Sequence, residues 1–315
     1  MATATRAPVD GALEPSADAR AFADSEHLAV LIVGAGVSGI GCAWHLQSAH
    51  PHKRYAILEA REASGGTWDL FRYPGIRSDS DLHTFGYQFK PWRERNAIAG
   101  GDAILRYVRE TAAENGIDAH IRLRHRVIRA EWSSEHARWH VLAQRTDTRE
   151  SVRFTCDWLF CASGYYSYDE PYTPDFPGRE RFRGPVVHPQ HWPADLDYAG
   201  KRVLVIGSGA TAVTLVPALA ERAQHVTMLQ RSPSYVMSVP ARDALANALA
   251  RRLPARAAYA LTRRKNIWLQ KTLYRISRRH PRLVRRLVRA GVARQLPAGY
   301  PVDVHFNPRY DPWDQ

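Results

Sequence analysis

The chain has 315 residues, of which 45% are hydrophobic and 24% charged, and its formal net charge is +13 at pH 7. This length allows two domains with substantial cores, and the composition is typical of a globular protein. Its three cysteines form no C-x-x-C pair, and no apolar run reaches the roughly 20 residues of a membrane-spanning helix. These features disfavour a disulfide scaffold, a metal site, a dithiol redox centre and an integral membrane protein, and they favour a cytoplasmic location.

The first predicted elements are a tail and a strand. Residues 1–27 are rich in Ala and lack the basic start and apolar centre of a signal peptide, so we expect a disordered tail. Leu28–Val33 is apolar and β-branched, which is typical of a strand buried on both faces of a parallel sheet. This strand leads directly into a glycine-rich loop.

The loop has the G-x-G-x-x-G spacing of a dinucleotide-binding turn. Its glycines are Gly34, Gly36 and Gly39. They permit a tight turn, the approach of a pyrophosphate and close packing of helix on strand. A helix is predicted at residues 40–47 and a second strand at residues 55–58, and Glu59 follows that strand. A carboxylate at this position can accept hydrogen bonds from a ribose, so the pattern predicts an FAD-type site.

The segment after Glu59 contains further candidate ligand residues. They are Gly66, Thr67, Trp68 and Asp79. Gly66 lets the backbone lie close to a ligand, and Trp68 can cover a flat ring. A surface loop with scattered charges is the alternative interpretation, and it applies more to Arg77 than to Asp79.

The middle of the chain is predicted to be mixed. The pattern indicates a helix over residues 91–115 and paired strands at 121–130 and 132–143. Another strand is predicted at 154–160, followed by a connector rich in Pro and Tyr.

A second glycine-rich loop follows a second strand, which we predict to be buried, at residues 201–206. The candidate residues of this loop are Gly207, Ser208, Gly209 and Thr211, with Ala212 in the place of the third glycine. A helix is predicted at 213–223 and a strand at 224–229, and this strand leads to Arg231 and Ser232 rather than to an acid. An arginine can bind a 2′-phosphate through two charge-assisted hydrogen bonds, so this loop predicts an NADP-type site.

The excess of positive charge lies in one segment, Ala241–Gln295, because the rest of the chain has 28 basic and 30 acidic residues. This segment holds 16 of the 44 basic residues and one of the 31 acidic residues, a local charge of +15. Its Ala, Leu and Arg content predicts helices. A solvated helical insertion, a helix pair at an anionic membrane surface and a nucleic-acid contact are the three interpretations, in that order of preference, because no nucleic-acid recognition motif accompanies the charge.

A connector motif lies between the two glycine-rich loops. It has the form F-x-G-x-x-x-H-x-x-x-W-P and consists of Phe182, Gly184, His188, Trp192 and Pro193. Together with the two loops and a second signature, it resembles the class B flavin monooxygenases, and the Trp-Pro ending favours their Baeyer–Villiger branch. The second signature, G-x-W-x-x-x-x-Y-P-G-x-x-x-D, is matched by Gly66, Trp68, Tyr73, Pro74, Gly75 and Asp79.

The resemblance implies an α/β fold with two Rossmann-like domains, the NADP domain inserted into the FAD domain. The implied domains are residues 28–168 for FAD, 169–200 for the linker and 201–315 for NADP. The implied cofactors are FAD and NADPH, which with dioxygen form a C4a-peroxyflavin. That species converts a ketone to an ester, or transfers oxygen to the sulfur of a thioether, so a small-molecule substrate and no nucleic acid are expected.

The resemblance also assigns roles and shows a gap. It places Asp79 near the flavin, orienting a catalytic arginine, and it makes His188 and Trp192 linker residues that couple domain rotation to catalysis. Family members are longer, so we expect the last part of the FAD domain and that arginine to follow Gln315.

The alternatives are an inactive flavin-binding remnant and a general flavin-containing N- or S-monooxygenase. The missing C-x-x-C pair disfavours a disulfide reductase. A basic membrane-associated binding protein, located at the inner face of the cell membrane, is a further alternative.

Overall fold

The structure is a computed structural model that describes residue 22 and residues 25–314. Residues 1–21, 23 and 24 of the predicted tail lie outside this description. At the end of the predicted tail, Glu26 and His27 already belong to the first strand. By internal packing the chain divides into two compact units. Unit 1 consists of Met1–Gly66 and Ala112–Gly164, and unit 2 of Thr67–Thr111 and Tyr165–Gln315.

Unit 1 is built on a six-stranded mixed sheet with the order β3-β2-β1-β6-β5-β4. The strands are β1 (Glu26–Val33), β2 (Tyr55–Leu58), β3 (Ile121–Arg122), β4 (His125–Ser133), β5 (Arg138–Arg145) and β6 (Ser151–Cys161). The first helix, α1 (Val37–Ala49), connects β1 to its parallel neighbour β2. β1 also pairs in parallel with β6, whereas β4, β5 and β6 form an antiparallel meander. The glycine-rich loop therefore follows a central strand.

The core of unit 1 forms where apolar residues of the central strands meet. Its buried members are Leu28, Leu31, Ala56, Leu58, Val141, Ala143, Phe154 and Cys156. Burying a side chain of the size of Leu or Phe contributes about 1.5–3 kcal/mol. This packing fixes the ends of β1 and β2, from which the candidate ligand residues emerge.

Unit 2 contains a second strand–helix–strand motif. It consists of β7 (Arg202–Ile206), α5 (Ala210–Ala220) and β8 (His225–Leu229), and the two strands pair in parallel. Short helices α2 (Thr67–Leu70) and α3 (Leu82–Phe85) precede it, and α4 (Gly101–Glu114) crosses from unit 2 into unit 1. The core is formed by Phe71, Tyr73, Val205, Ala212, Leu215 and Leu219. The residues after Trp68 thus pack beside the second glycine-rich loop's own helix.

The basic segment is helical, as its composition predicts. Its helices are α6 (Ala244–Arg252), α7 (Ala255–Arg279) and α8 (Pro281–Ala293), and α9 (Val302–His305) follows. Within the described ranges, no helix combines the length and the apolar character needed to cross a bilayer.

The predicted α/β class and the two strand–loop–helix motifs are confirmed, and three predictions were wrong in part. The strands predicted at 121–130 and 132–143 are instead β3, β4 and β5, with turns at residues 123–124 and 134–137. The helix predicted over residues 91–115 begins only at Gly101. Before it, the Trp92 side chain donates to the Asn96 carbonyl and holds a turn. The strand at 201–206 is not buried, because Leu204 is 56% exposed and only β8 pairs with β7 in the described part of the chain. The functional domain boundaries stay predictions, because packing does not identify what each part binds.

Candidate dinucleotide-binding sites

The first glycine-rich loop leaves no room for side chains at two of its glycines. A Cβ atom on Gly39 would lie 1.9 Å from the Gly34 carbonyl oxygen, and one on Gly34 would lie 2.6 Å from the Ala162 carbonyl oxygen. Gly34 also has φ of +103°, which only glycine adopts at low cost. The loop and the start of α1 are therefore in direct backbone contact, which keeps the helix close to the strand.

The start of α1 is open toward a second backbone segment. Gly36 caps the helix in an extended conformation, and no side chain of the described residues caps it. A Cβ atom on Gly36 would lie 3.7 Å from the Cα atom of Gly66. A helix N-terminus carries partial positive charge and N–H groups directed outward, which is the usual environment for a pyrophosphate.

Glu59 lies at the end of β2, beside this loop. Its side chain is only 5% exposed. One carboxylate oxygen accepts a hydrogen bond from the Ala35 backbone N–H at 2.8 Å, and the other accepts from that of Arg61 at 3.0 Å. A carboxylate has about four acceptor positions, so capacity remains for two ribose hydroxyls. The structure thus brings Gly34, Gly36, Gly39 and Glu59 together in unit 1, at the carboxyl ends of β1 and β2.

The residues that follow Gly66 belong to unit 2. The Thr67 and Tyr168 hydroxyls lie 3.2 Å apart, and the Trp68 ring contacts the edge of Phe85 at 6.0 Å between centroids. Asp69 is buried and accepts hydrogen bonds from Arg109 at 2.6 Å and from Arg72 at 3.0 Å. Sequence reasoning missed Asp69 and Arg109, because nothing in a spacing of 40 residues indicates that they meet. This ion pair fixes the short helix that carries Thr67 and Trp68.

Asp79 is exposed and follows a buried serine. The Ser78 backbone N–H donates to the Ala99 carbonyl, which holds this turn in place. The pKa of Tyr166 is raised to about 12, first by its hydrogen bond with Tyr165, then by burial, and partly by nearby charges that include Asp79. In the same signature, Gly75 has φ of +81°, and a Cβ atom there would lie 2.5 Å from the Thr214 carbonyl oxygen of α5. The Tyr-Pro-Gly turn therefore packs directly on the helix of the second motif.

The second glycine-rich loop is less crowded. A Cβ atom on Gly207 or Gly209 would meet nothing within 4 Å, although Gly207 has φ of +130°. Gly209 caps α5 without a side-chain hydrogen bond, and the Ser208 and Ser234 hydroxyls lie 3.0 Å apart. Thr211 lies in the first turn of α5, and Arg231 and Ser232 are exposed after β8. The candidate residues of this loop are thus accessible to a ligand.

The connector motif is anchored within unit 2. The Trp192 ring packs on the core around Leu215 and contacts Tyr198 at 6.3 Å between centroids. The His188 Nδ1 atom accepts from the Gln190 backbone N–H at 3.2 Å, and burial, with a smaller effect of His191, lowers the His188 pKa. Phe182, Gly184 and Pro193 complete the motif, and a Cβ atom on Gly184 would lie 2.8 Å from the Phe182 ring. These contacts hold the connector by packing, and the proposed linker role stays a prediction.

No group of three or more His, Cys, Asp or Glu residues in the described ranges is placed to hold a metal ion. The functional features of the structure are instead two strand–loop–helix motifs. In each motif, no side chain of the described residues caps the helix N-terminus. The motifs differ in the charged residue that follows the second strand, Glu59 in one and Arg231 in the other.

Comparison with known proteins identifies the family. A family model described as flavin-binding monooxygenase-like matches residues 95–288, more than half of the chain. A model described as an NAD(P)-binding Rossmann-like domain matches residues 32–95. The chain belongs to the flavin-binding monooxygenase-like family, which confirms the resemblance to flavin monooxygenases drawn from the motifs.

Three similar proteins illustrate the relationship. The FAD-containing monooxygenase EthA of Mycobacterium tuberculosis is 57% identical over 292 residues, which cover 92% of this chain and 59% of EthA. A steroid monooxygenase bound to NADP has a TM-score of 0.63 at 33% identity, covering 76% of this chain and 44% of that one. OTEMO in complex with FAD and NADP has a TM-score of 0.58 at 34% identity, covering 68% and 41%. The chain thus spans about three-fifths of the length of EthA.

Proposed function

We propose that this chain binds FAD and NADPH. We propose further that it forms the cofactor-binding part of a monooxygenase that converts ketones to esters or thioethers to sulfoxides. The observation that carries the proposal is the contrast between the two glycine-rich loops. The first is followed by the buried carboxylate of Glu59, and the second by the exposed guanidinium of Arg231. A carboxylate suits a ribose with free hydroxyls, and an arginine suits a ribose that carries a 2′-phosphate.

The first motif fits FAD. A pyrophosphate can approach the backbone between Gly36 and Gly66, where a side chain would intervene. Glu59 keeps its position through two backbone hydrogen bonds and accepts further bonds from the ribose. Thr67 and Trp68 follow directly in the chain, and Trp68 offers a flat apolar surface to a ring system. OTEMO, which shares this fold, is described as a complex with FAD and NADP.

The second motif fits NADPH. The N-terminus of α5 has no side-chain cap in the described part of the chain, and Ser208 and Thr211 add hydroxyl donors beside it. Arg231 and Ser232 are exposed and available to a phosphate. The steroid monooxygenase with the similar fold is described as bound to NADP.

A bound flavin would accept the hydride of NADPH and activate dioxygen, and the residues of this chain position the groups involved. Asp79 is exposed and contributes to the raised pKa of Tyr166, and it is proposed to orient a cationic partner near the flavin. Asp69 and Arg109 hold the backbone of Thr67 and Trp68 in place. Trp192 and His188 anchor the connector by packing, so neither is proposed as an acid or a base.

A general flavin-containing N- or S-monooxygenase is the second candidate. The Trp192-Pro193 ending of the connector favours the Baeyer–Villiger reaction. A flavin-binding remnant without turnover is the third. Incubating the chain with FAD, NADPH and either a ketone or an aryl thioether distinguishes them, with products identified by mass spectrometry. An ester from the ketone supports the first candidate. A sulfoxide without any ester supports the second. Binding of FAD with no NADPH oxidation and neither product supports the third.

Binding measurements test the cofactor assignment separately from turnover. We expect Arg231→Ser to weaken NADP⁺ binding at least tenfold, because a charge-assisted hydrogen bond contributes about 1.5–3 kcal/mol. NAD⁺ and FAD binding should not change. Arg202→Ser, at an exposed arginine of β7, is the matched control. Equal weakening of NAD⁺ and NADP⁺ by Arg231→Ser would show that Arg231 does not contact a 2′-phosphate.

A further inference from the structure

Helix α7 buries three polar residues in addition to Ala258 and Tyr259, and it exposes several large apolar side chains, which is unusual for a surface helix. Thr262 and Ser277 are each 1% exposed, and Asn266 is buried, where its amide donates to Asp81 at 2.8 Å. Trp268, in contrast, is 64% exposed and Leu269 is also exposed. Polar contacts therefore join α7 to the rest of unit 2, whereas Trp268 and Leu269 face outward.

Five exposed residues of α7 form one stripe of mixed apolar and cationic side chains. Its members are Leu261, Arg264, Trp268, Lys271 and Arg275, and all are exposed. Successive members are three or four residues apart, which places them on a single helix face. Tyr274 and Ile276 are exposed beside the stripe.

Helix α8 repeats this pattern over a shorter length. Arg282, Leu283, Arg286 and Leu287 are exposed, and Leu287 is 61% exposed. Val284, between them in the chain, is buried. Two consecutive helices thus present adjacent cationic and apolar side chains to solvent. We call these exposed residues of the two helices the basic–apolar face. They are Leu261, Arg264, Trp268, Lys271, Arg275, Arg282, Leu283, Arg286 and Leu287.

Among the 16 cations of Ala241–Gln295, two sets differ in their partners. Lys265, Arg278, Arg285 and Arg289 form ion pairs with Asp243, Asp314, Asp311 and Asp303 respectively. These four pairs join α7 and α8 to other segments of unit 2. In the part of the chain that the structure describes, the cations of the basic–apolar face have no such partner. They are Arg264, Lys271, Arg275, Arg282 and Arg286.

We propose that the basic–apolar face binds the surface of an anionic phospholipid bilayer. Arginine and lysine attract lipid phosphates, while Trp268, Leu283 and Leu287 insert at the boundary between headgroups and acyl chains. A nucleic acid would satisfy the cations but would leave the leucine side chains uncovered. A second copy of the same face would bring like charges together, which disfavours a dimer through this surface.

Vesicle flotation with the 315-residue chain tests the proposal. We expect binding to vesicles of phosphatidylcholine mixed with phosphatidylglycerol, and none to phosphatidylcholine alone. Binding should weaken as salt rises, because added ions screen the surface charges. Lipids with brominated acyl chains should quench the tryptophan fluorescence, and Trp268→Phe should remove that quenching. Equal binding to both vesicle types, or no binding to either, would overturn the proposal.

Matched triple variants separate this face from general positive charge. We expect Arg264→Gln, Lys271→Gln and Arg275→Gln together to reduce partitioning about 100-fold, since each cation near the surface contributes about a factor of five. The control is Arg153→Gln, Arg179→Gln and Arg202→Gln, which removes the same charge from exposed positions elsewhere. Circular dichroism checks that both variants fold. An equal loss of vesicle partitioning in the two triple variants would show that general positive charge, and not the basic–apolar face, causes the binding.

Two further outcomes would also overturn the proposal. If a DNA or RNA duplex binds more tightly than the anionic vesicles and displaces them, the face is a nucleic-acid contact. If light scattering shows a dimer that Trp268→Ser and Leu287→Ser dissociate, a second copy of the chain covers the face. Under the proposal, neither variant changes the oligomeric state, and both reduce vesicle binding at high salt, where the apolar contribution remains.

Discussion

At the scale of single residues, Gly39 and Gly36 differ in what an added methyl group would meet. In Gly39→Ala the methyl would lie 1.9 Å from a backbone oxygen, and the helix would have to move. In Gly36→Ala it would lie 3.7 Å from its nearest neighbour, an ordinary contact. We therefore predict that Gly39→Ala lowers the free energy of unfolding by about 3 kcal/mol. Gly36→Ala should leave the free energy of unfolding unchanged but abolish FAD binding.

Urea denaturation and calorimetric titration with FAD measure these two effects. The pair is informative because the substitutions are the same and the positions lie in one loop. If both variants lost stability equally, the loop would be only a packing element. If both kept FAD binding, the first motif would not hold the pyrophosphate.

Glu59 allows a second prediction. Its two oxygens accept hydrogen bonds from two backbone N–H groups, and the amide of Glu59→Gln can satisfy only one of them. We expect a loss of about 1–3 kcal/mol in unfolding free energy, because a buried donor is left without an acceptor. Glu62→Gln, at an exposed carboxylate, should change stability by less than about 0.5 kcal/mol. Thermal unfolding of both variants, without ligand, checks this.

At the scale of elements, α3 docks on α7 through a buried histidine. The His83 ring lies beside that of Tyr259, and its Nδ1 atom has no hydrogen-bond partner among the described residues. Burial lowers the pKa of His83 below 6.5, an effect that Asp81 and Asp243 oppose and Lys265 increases. The unfolded chain therefore binds more protons below pH 6.5. The contribution of the neutral His83 ring to the free energy of unfolding is therefore fully present above pH 6.5. It is lost as the pH falls toward the pKa of His83 in the folded protein.

We predict that His83→Phe makes the stability less dependent on pH between about 7 and 5. The slope removed is at most about 1.4 kcal/mol for each pH unit in the window where the two states differ in protonation. Urea denaturation across this range measures it, with His52→Phe at an exposed position as the control. An unchanged slope in His83→Phe would mean that another group causes the acid sensitivity.

The elements also show what a sequence can and cannot predict. β1, β2 and the loop after β1 follow from local patterns, because apolar runs and glycine spacing are properties of neighbouring residues. The start of α4 was misplaced, since a hydrogen bond from Trp92 to Asn96 competes with the helix. The pair Asp69–Arg109 was missed because its partners are far apart in the chain. The burial of polar residues in α7 was equally hidden, because its apolar residues suggest a core.

At the scale of the whole molecule, the two cofactors should protect different parts of the chain. We predict that FAD slows hydrogen exchange at residues 34–40 and 59–66, and that NADP⁺ slows it at residues 207–213. When the ligand concentration is about a hundred times Kd, binding stabilises the protein by about 2.7 kcal/mol. Amide hydrogens that exchange only when the bound site opens should then exchange about 100-fold more slowly. Mass spectrometry of peptides measures both effects. Protection of 207–213 by FAD alone would reverse the assignment of the two motifs.

The position of β6 in the sheet has a consequence for how the protein is made. β6 pairs with β1 across 128 residues of sequence, and it also joins the antiparallel meander to the parallel strands. At a synthesis rate of about 5–20 residues per second, β1 leaves the ribosome about 6–25 seconds before its central partner. During that interval its apolar edge is available to chaperones, so the yield of folded protein should depend on translation speed between residues 60 and 160.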